Sequence, residues 1–171
     1  KHLGKDSPFD IVVSGINRGA NVGNVSHLSG TVGAAMEGLY HGLPAIAVSE
    51  DPNSENTAAT AKFAADLVDR YRREGAPLGT LISINVPAGE LKGVAVRPMG
   101  DSYLSTASYD VVSSSAQSTE YESVRVIVSS ENPATDTYAY QQGYISVTPL
   151  KFDWTDFEML DEVESWNLQI D

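Results

Sequence analysis

Residues 14–49, SGINRGANVGNVSHLSGTVGAAMEGLYHGLPAIAVS, constrain the fold more than any other part of the chain. The apolar run Ile11-Val12-Val13 leads into them and reads as a strand covered on both faces. A polar, glycine-punctuated loop follows, then a helix whose first turn is Ser29-Gly30-Thr31, then a second buried strand at Ala45-Ile46-Ala47-Val48. That order of elements makes an anion site. The first turn of a helix carries backbone N–H groups without intrahelical partners, and the aligned peptide dipoles leave partial positive charge there. Ser29 is a natural N-cap, Gly30 lets a ligand approach the backbone, and the Ser29 and Thr31 hydroxyls can donate to phosphate oxygens.

Upstream, Gly15, Gly19 and Gly23 recur every four residues, with Asn17, Arg18 and Asn21 between them. An Asn amide oxygen is a hard ligand suited to Mg²⁺ or Mn²⁺, and its NH₂ can equally donate to phosphate. Plainer readings compete. A Ser before a helix is usually only a cap, and glycine-rich loops are usually only turns. Membrane helix packing through GxxxG fails because Asn17, Arg18 and Asn21 interrupt the apolar run. Neither GxGxxG nor GxxxxGK[ST] occurs, so dinucleotide and Walker-type loops are unsupported. On the residues alone, a phosphate site and an ordinary capped helix stand level.

The net charge of −12 excludes a basic surface for duplex nucleic acid and also repels a mononucleotide. Any anion must therefore be held by local features: a helix N-terminus, Arg18 and a bound cation. With 171 residues and 42% hydrophobic content, the chain can bury a core as one domain over 1–171. No apolar run approaches the ~20 residues that span a bilayer and no signal peptide is visible, so a cytoplasmic protein without membrane partners is expected. Zero cysteines exclude disulfides and thiolate zinc sites.

Residues 1–8 are polar and read as a loop, and Asp10 as a strand-end cap. The helix from about Gly30 to His41 places Val32, Ala35, Met36, Leu39 and Leu43 on one stripe. Gly42 and Pro44 stop it. His27 precedes Ser29 closely enough to touch a substrate, whereas His41 suits the helix C-terminus and Glu37 is structural. A second helix spans Thr57 to Glu74, with Ala61, Ala64, Ala65, Val68 and Tyr71 inward. Strands at Leu81 to Val86 and Gly93 to Val96 complete a βαβ-type core over 9–97. Residues 98–142 are rich in serine and tyrosine, and β-prone runs at Tyr109 to Val112 and Ser123 to Val128 read as a hairpin arm suited to a subunit interface. A return strand, Gly143 to Leu150, precedes a helix opened by the capping box Thr155-Asp156-Phe157-Glu158. Its apolar side, Trp154, Phe157, Leu160, Val163 and Trp166, must dock on the domain or on a partner chain.

The run from Ser14 to Gly23, then Ser29-Gly30-Thr31-Val32, Ala35-Met36-Glu37-Gly38 and Gly42 to Ser49, closely resembles the SurE family of survival-protein nucleotidases. Asn85-Val86-Pro87 and Gly143 to Leu150 extend the likeness across most of residues 9–155. The resemblance implies a Rossmann-like α/β fold, a parallel or mixed sheet flanked by helices, with a protruding hairpin and a C-terminal helix. It implies a metal-dependent 5'/3'-nucleotidase that hydrolyses nucleoside monophosphates. One divalent cation, Mg²⁺ or Mn²⁺, is expected per subunit, in a homodimer or homotetramer held by the 98–142 arm and the C-terminal helix. By the same resemblance Asn17 is a metal ligand, while Asn21, Ser29, Gly30 and Thr31 bind the phosphate.

The family's other metal ligands, an adjacent Asp-Asp pair and a Ser, lie N-terminal to everything here, and residues 1–10 hold nothing like Asn-Asp-Asp-Gly. One amide oxygen cannot hold Mg²⁺ without carboxylate charge. The chain therefore reads as a C-terminal portion lacking the first strands, with no catalytic residue of its own assigned, and is expected to be inactive alone. Leu28 and Asn24-Val25 also depart from the family pattern, which leaves substrate preference open. A non-catalytic phosphate- or nucleotide-binding module is the alternative. A serine hydrolase lacks its GxSxG elbow.

Overall fold

The computed structural model describes residues 9–170; residues 1–8, read above as a polar loop, and Asp171 lie outside them. In chain order the first elements are β1 (Val12–Arg18), a short 3-10 turn (Gly23–Leu28), α1 (Gly30–Tyr40), β2 (Ala45–Glu50), α2 (Thr57–Glu74), β3 (Leu81–Val86) and β4 (Val94–Val96). They are followed by β5 (Leu104–Ser114), β6 (Thr119–Ile127), α3 (Asp136–Gln141), β7 (Ile145–Leu150) and α4 (Leu160–Ser165). The main sheet has the order β1-β2-β3-β7-β4. β1, β2 and β3 are parallel, β7 runs against β3, and β4 runs with β7. The mixed sheet flanked by helices is the expected class.

Because side chains alternate across a strand, β2 feeds two cores. Ala45 and Ala47, with Val12 and Leu81, pack beneath Val32, Ala35 and Leu39 of α1. Ile46 and Val48, with Ile84 and Val86, pack beneath Phe63, Ala64, Leu67 and Val68 of α2. All six residues of β2 are buried, which fits the apolar run Ala45 to Val48 that opens it. Val32, Ala35, Met36 and Leu39 of the α1 stripe read from sequence pack as expected, whereas Leu43 lies beyond the helix end at Tyr40 and outside that cluster. The α2 face is rotated: Ala61 and Ala65 are exposed while Phe63 and Leu67 turn inward. Burying the two larger side chains removes more apolar area from water.

β1 runs further than its apolar start, to Arg18, and its pairing with β2 shifts register between Ser14 and Asn17. The extra residue of the bulge turns Asn17 to the α1 side, opposite Ser49, where strict alternation would have put Ile16. Gly15 sits in this bulge at φ +125°, and a Cβ there would run into the Val48 carbonyl.

β5 and β6 form a separate antiparallel hairpin with almost every residue exposed. The hairpin proper is the inner part of the 98–142 span. Tyr103 and Tyr140, which the sequence placed in the arm, are buried with Ala20 and Val22, ring against ring at 5.5 Å. At the other end, Thr155 opens no helix. Asp156 Oδ1 instead accepts the amides of Glu158 and Met159 at 3.1 and 3.2 Å, and α4 begins at Leu160. A local turn won over the capping box because the Asp side chain reaches its own following amides. Phe157, Leu160, Val163 and Trp166 stay exposed within the chain. Among the described residues, no helix is long and apolar enough to cross a membrane.

Candidate functional site

Asn17, Ser49 and Asn85 form a row across the carboxyl ends of three parallel strands, each opposite the next in register. Over that row lies the loop that leads from β1 to α1. Asn21 holds it down: its backbone N–H donates to Asn85 Oδ1 at 2.7 Å, its Nδ2 donates to Ser49 Oγ at 2.7 Å, and its carbonyl accepts from Ser26 Oγ at 2.6 Å. Its Nδ2 is thus committed inside the protein, with only 7% of the residue exposed. The structure places Asn21 in the buried floor of the loop, with its Nδ2 bonded to Ser49.

Asn17 donates Nδ2 to the Gly19 carbonyl at 2.7 Å, which fixes the amide plane and leaves Oδ1 as the group available to a ligand. That oxygen fits one position of a hard cation. Among the described residues no group of three or more His, Cys, Asp or Glu is disposed to hold a metal. Asn17 therefore fits as a single neutral ligand.

Ser29 caps α1, its Oγ accepting the Val32 amide at 3.2 Å. The Gly30 and Thr31 amides in the same turn have no intrahelical acceptor. Gly30 is exposed, and a Cβ on it would meet nothing within 4 Å, so the turn opens onto free space. Ser29 and Thr31 are half-buried beside it. The structure thus brings Asn17, Ser29, Gly30 and Thr31 to one side and one end of the sheet.

Arg18 is not with them. One step along the strand from Asn17, it faces the α2 side, donating to the Pro52 carbonyl at 2.7 Å and lying 3.8 Å from Glu50. Glu50 is 1% exposed and accepts the hydroxyls of Thr57 and Thr60 at 2.7 and 3.1 Å, tying β2 to the start of α2. Local attraction for an anion therefore falls to the helix turn.

Sequence reasoning missed Asp136. It is 1% exposed and its carboxylate accepts the amides of Gly23 at 3.0 Å, Gly100 at 2.7 Å and Thr137 at 2.6 Å. Its partners come from segments far apart in the chain, so no local pattern announces it. A groove of about 550 Å³ runs beside α1, walled by Val32, Met36, Met99, Leu150 and Trp154. His27 packs its ring 5.2 Å from Trp154 at its rim.

Parallel strands crossed over by helices, with a polar row and a helix N-terminus at their carboxyl ends, define the Rossmann-like class of α/β proteins, whose ligands bind at that edge. Within that class the chain belongs to the SurE family: the family model described as survival protein SurE matches residues 1–106. It is 39% identical to a 5'-nucleotidase SurE of Symbiobacterium thermophilum over 93% of this chain and 64% of that protein. A 5'-nucleotidase SurE of Thermoanaerobacter sp. is 35% identical over 95% of this chain and 66% of its own length. The chain thus spans just under two thirds of these curated relatives. The crystal structure of SurE from Aquifex aeolicus superposes with a TM-score of 0.76 at 30% identity, covering 97% of this chain and 68% of that one.

Proposed function

We propose that this chain is the phosphate-binding part of a divalent-metal-dependent phosphomonoesterase that hydrolyses nucleoside monophosphates; the name 5'-nucleotidase carried by its relatives supports the nucleotidase part of this reading. The observation that carries the reading is the open first turn of α1, capped by Ser29 and set at the same sheet edge as the Asn17 amide oxygen.

The Gly30 and Thr31 amides receive two phosphate oxygens, and the Ser29 and Thr31 hydroxyls orient them. Donors fixed in a helix need no rearrangement as negative charge builds on those oxygens, so they favour the transition state over water. Asn21 holds the loop through its Nδ2 bond to Ser49 and lies beside the phosphate that it contacts in this reading. Asn17 supplies one ligand to a Mg²⁺ or Mn²⁺ ion whose carboxylate ligands lie outside the described residues. When bound, such a cation neutralises phosphate charge and activates water.

The core is 9–97, the hairpin or oligomerisation arm is 98–142, and 143–171 holds the return strand and the C-terminal helix. The exposed hairpin, with Tyr109, Val111 and Tyr121 outward, and the uncovered apolar side of α4 support a homodimer or homotetramer.

The complete polypeptide should release phosphate from a nucleoside monophosphate, lose that activity in EDTA and regain it with Mn²⁺, while residues 1–171 alone stay inactive. A protein that binds the nucleotide but never turns it over would establish the binding-module alternative instead.

A further inference from the structure

We infer that Asp136 is a positioning residue for the phosphate turn, a buried carboxylate that locks the entry to α1 onto the root of the hairpin. Three backbone amides converge on it, from Gly23, Gly100 and Thr137, and the hydroxyls of Thr137 and Thr148 approach it at 3.3 and 3.5 Å. Bonds to an ionised acceptor are the stronger kind, and a carboxylate held from several sides has no freedom to move. This inference rests on the phosphate-binding reading given above.

Gly23 is the point where the clamp bears on the site. It opens the 3-10 turn that ends at Leu28, one residue before the Ser29 cap. That turn is short and internally bonded, with the Ser29 amide returning to the Ser26 carbonyl at 3.4 Å, so a displacement at Gly23 carries through to the cap. Gly23 is also tightly enclosed. It sits at φ +59°, and a Cβ on it would collide with the Asp101 carbonyl.

Gly100 and Asp101 are the hairpin's root. Two residues on, Tyr103 is buried with Ala20, Val22 and Tyr140 beneath the same loop. Asp136 thus joins the loop, the hairpin root and β7 at one atom group. The loop is pinned at two nearby points, Asn21 and Gly23, and one of the two pins is a carboxylate that no sequence motif marks.

The test uses the complete polypeptide with Mn²⁺ and three variants: Asp136→Asn, the milder Thr137→Val, and Phe63→Ala as a control on the opposite sheet face. Each is assayed well below its own Tm. Asp136→Asn keeps the shape but turns an NH₂ toward amide donors. It should weaken inhibition by inorganic phosphate and raise KM, by about 10-fold or more, since displacing a binding group by about an ångström costs on that scale. Phe63→Ala should lower Tm comparably while leaving the phosphate inhibition constant within about 2-fold of wild type. If Asp136→Asn does not fold, Thr137→Val carries the test and should shift the same constant in the same direction by a smaller factor. Loss of Tm with an unchanged phosphate constant in the folded variants would overturn the inference and leave the nucleotidase reading standing. A wild-type protein that neither binds phosphate nor hydrolyses a phosphomonoester would overturn both.

Discussion

Asn21 and Ser49, 28 residues apart in the chain, are joined by a 2.7 Å hydrogen bond from Nδ2 to Oγ in the buried floor of the site. The bond fastens the loop after β1 to the end of β2. Replacing Asn21 by Ala strands the Ser49 hydroxyl, and Asn21→Ala should lower stability by about 1 to 3 kcal/mol. The urea midpoint should fall without a change in m, because the denatured state is untouched. Phosphate affinity should fall as well, through the loosened loop.

Ser29→Ala removes the acceptor of the Val32 amide and should cost about 1 kcal/mol. The same change removes a hydroxyl from the phosphate turn, so KM should rise by more than the stability loss explains. Ser29→Thr keeps a cap and a hydroxyl and should recover most of both, which steady-state kinetics and a melting curve would check together.

Glu50→Ala leaves the Thr57 and Thr60 hydroxyls and Arg18 without their shared carboxylate, and should destabilise by about 2 to 3 kcal/mol. Glu50→Gln keeps an acceptor for one threonine and should cost less. Neither should alter the metal dependence, because Glu50 faces α2 and Asn17 faces α1.

Burial, the neighbouring Tyr103 and the negative Asp51 push the Tyr140 hydroxyl well above its ordinary range. A group with a raised folded pKa stays protonated in the native chain after it has ionised in the unfolded one. The unfolded state then binds fewer protons, so stability falls as pH rises above about 10, by up to about 1.4 kcal/mol per pH unit for one tyrosine. Below that pH both states are neutral and the effect vanishes. Tyr140→Phe should flatten the alkaline slope, as denaturant titrations at pH 8 to 11 on a scale of about one unit would show.

Where the physics is local, the chain was legible before its structure. Both ends of α2 fall where composition put them, at Thr57 and Glu74, and the apolar stripe of α1 from Val32 to Leu39 is the one that packs. Ser29 was legible as a cap because capping needs only its own next three residues. The floor of the site was not. Asn85, Ser49 and Asp136 act through partners tens of residues away, and the side of the sheet that Asn17 meets depends on a bulge. The C-terminal segment was misread for the opposite reason: two local motifs competed at Thr155 and Asp156, and the tighter turn prevailed. The burial of Tyr103 and Tyr140 escaped notice because serine-rich surroundings mask a two-residue cluster.

The central claim is that phosphate is received by the opening turn of α1. Amide resonances of the complete polypeptide, followed by NMR while inorganic phosphate is added in the presence of Mg²⁺, test it most directly. The account predicts the largest saturating shifts at the Gly30 and Thr31 amides, both lost in Ser29→Pro. Unmoved Gly30 and Thr31 resonances, with saturation recorded at another cluster of amides, would contradict it.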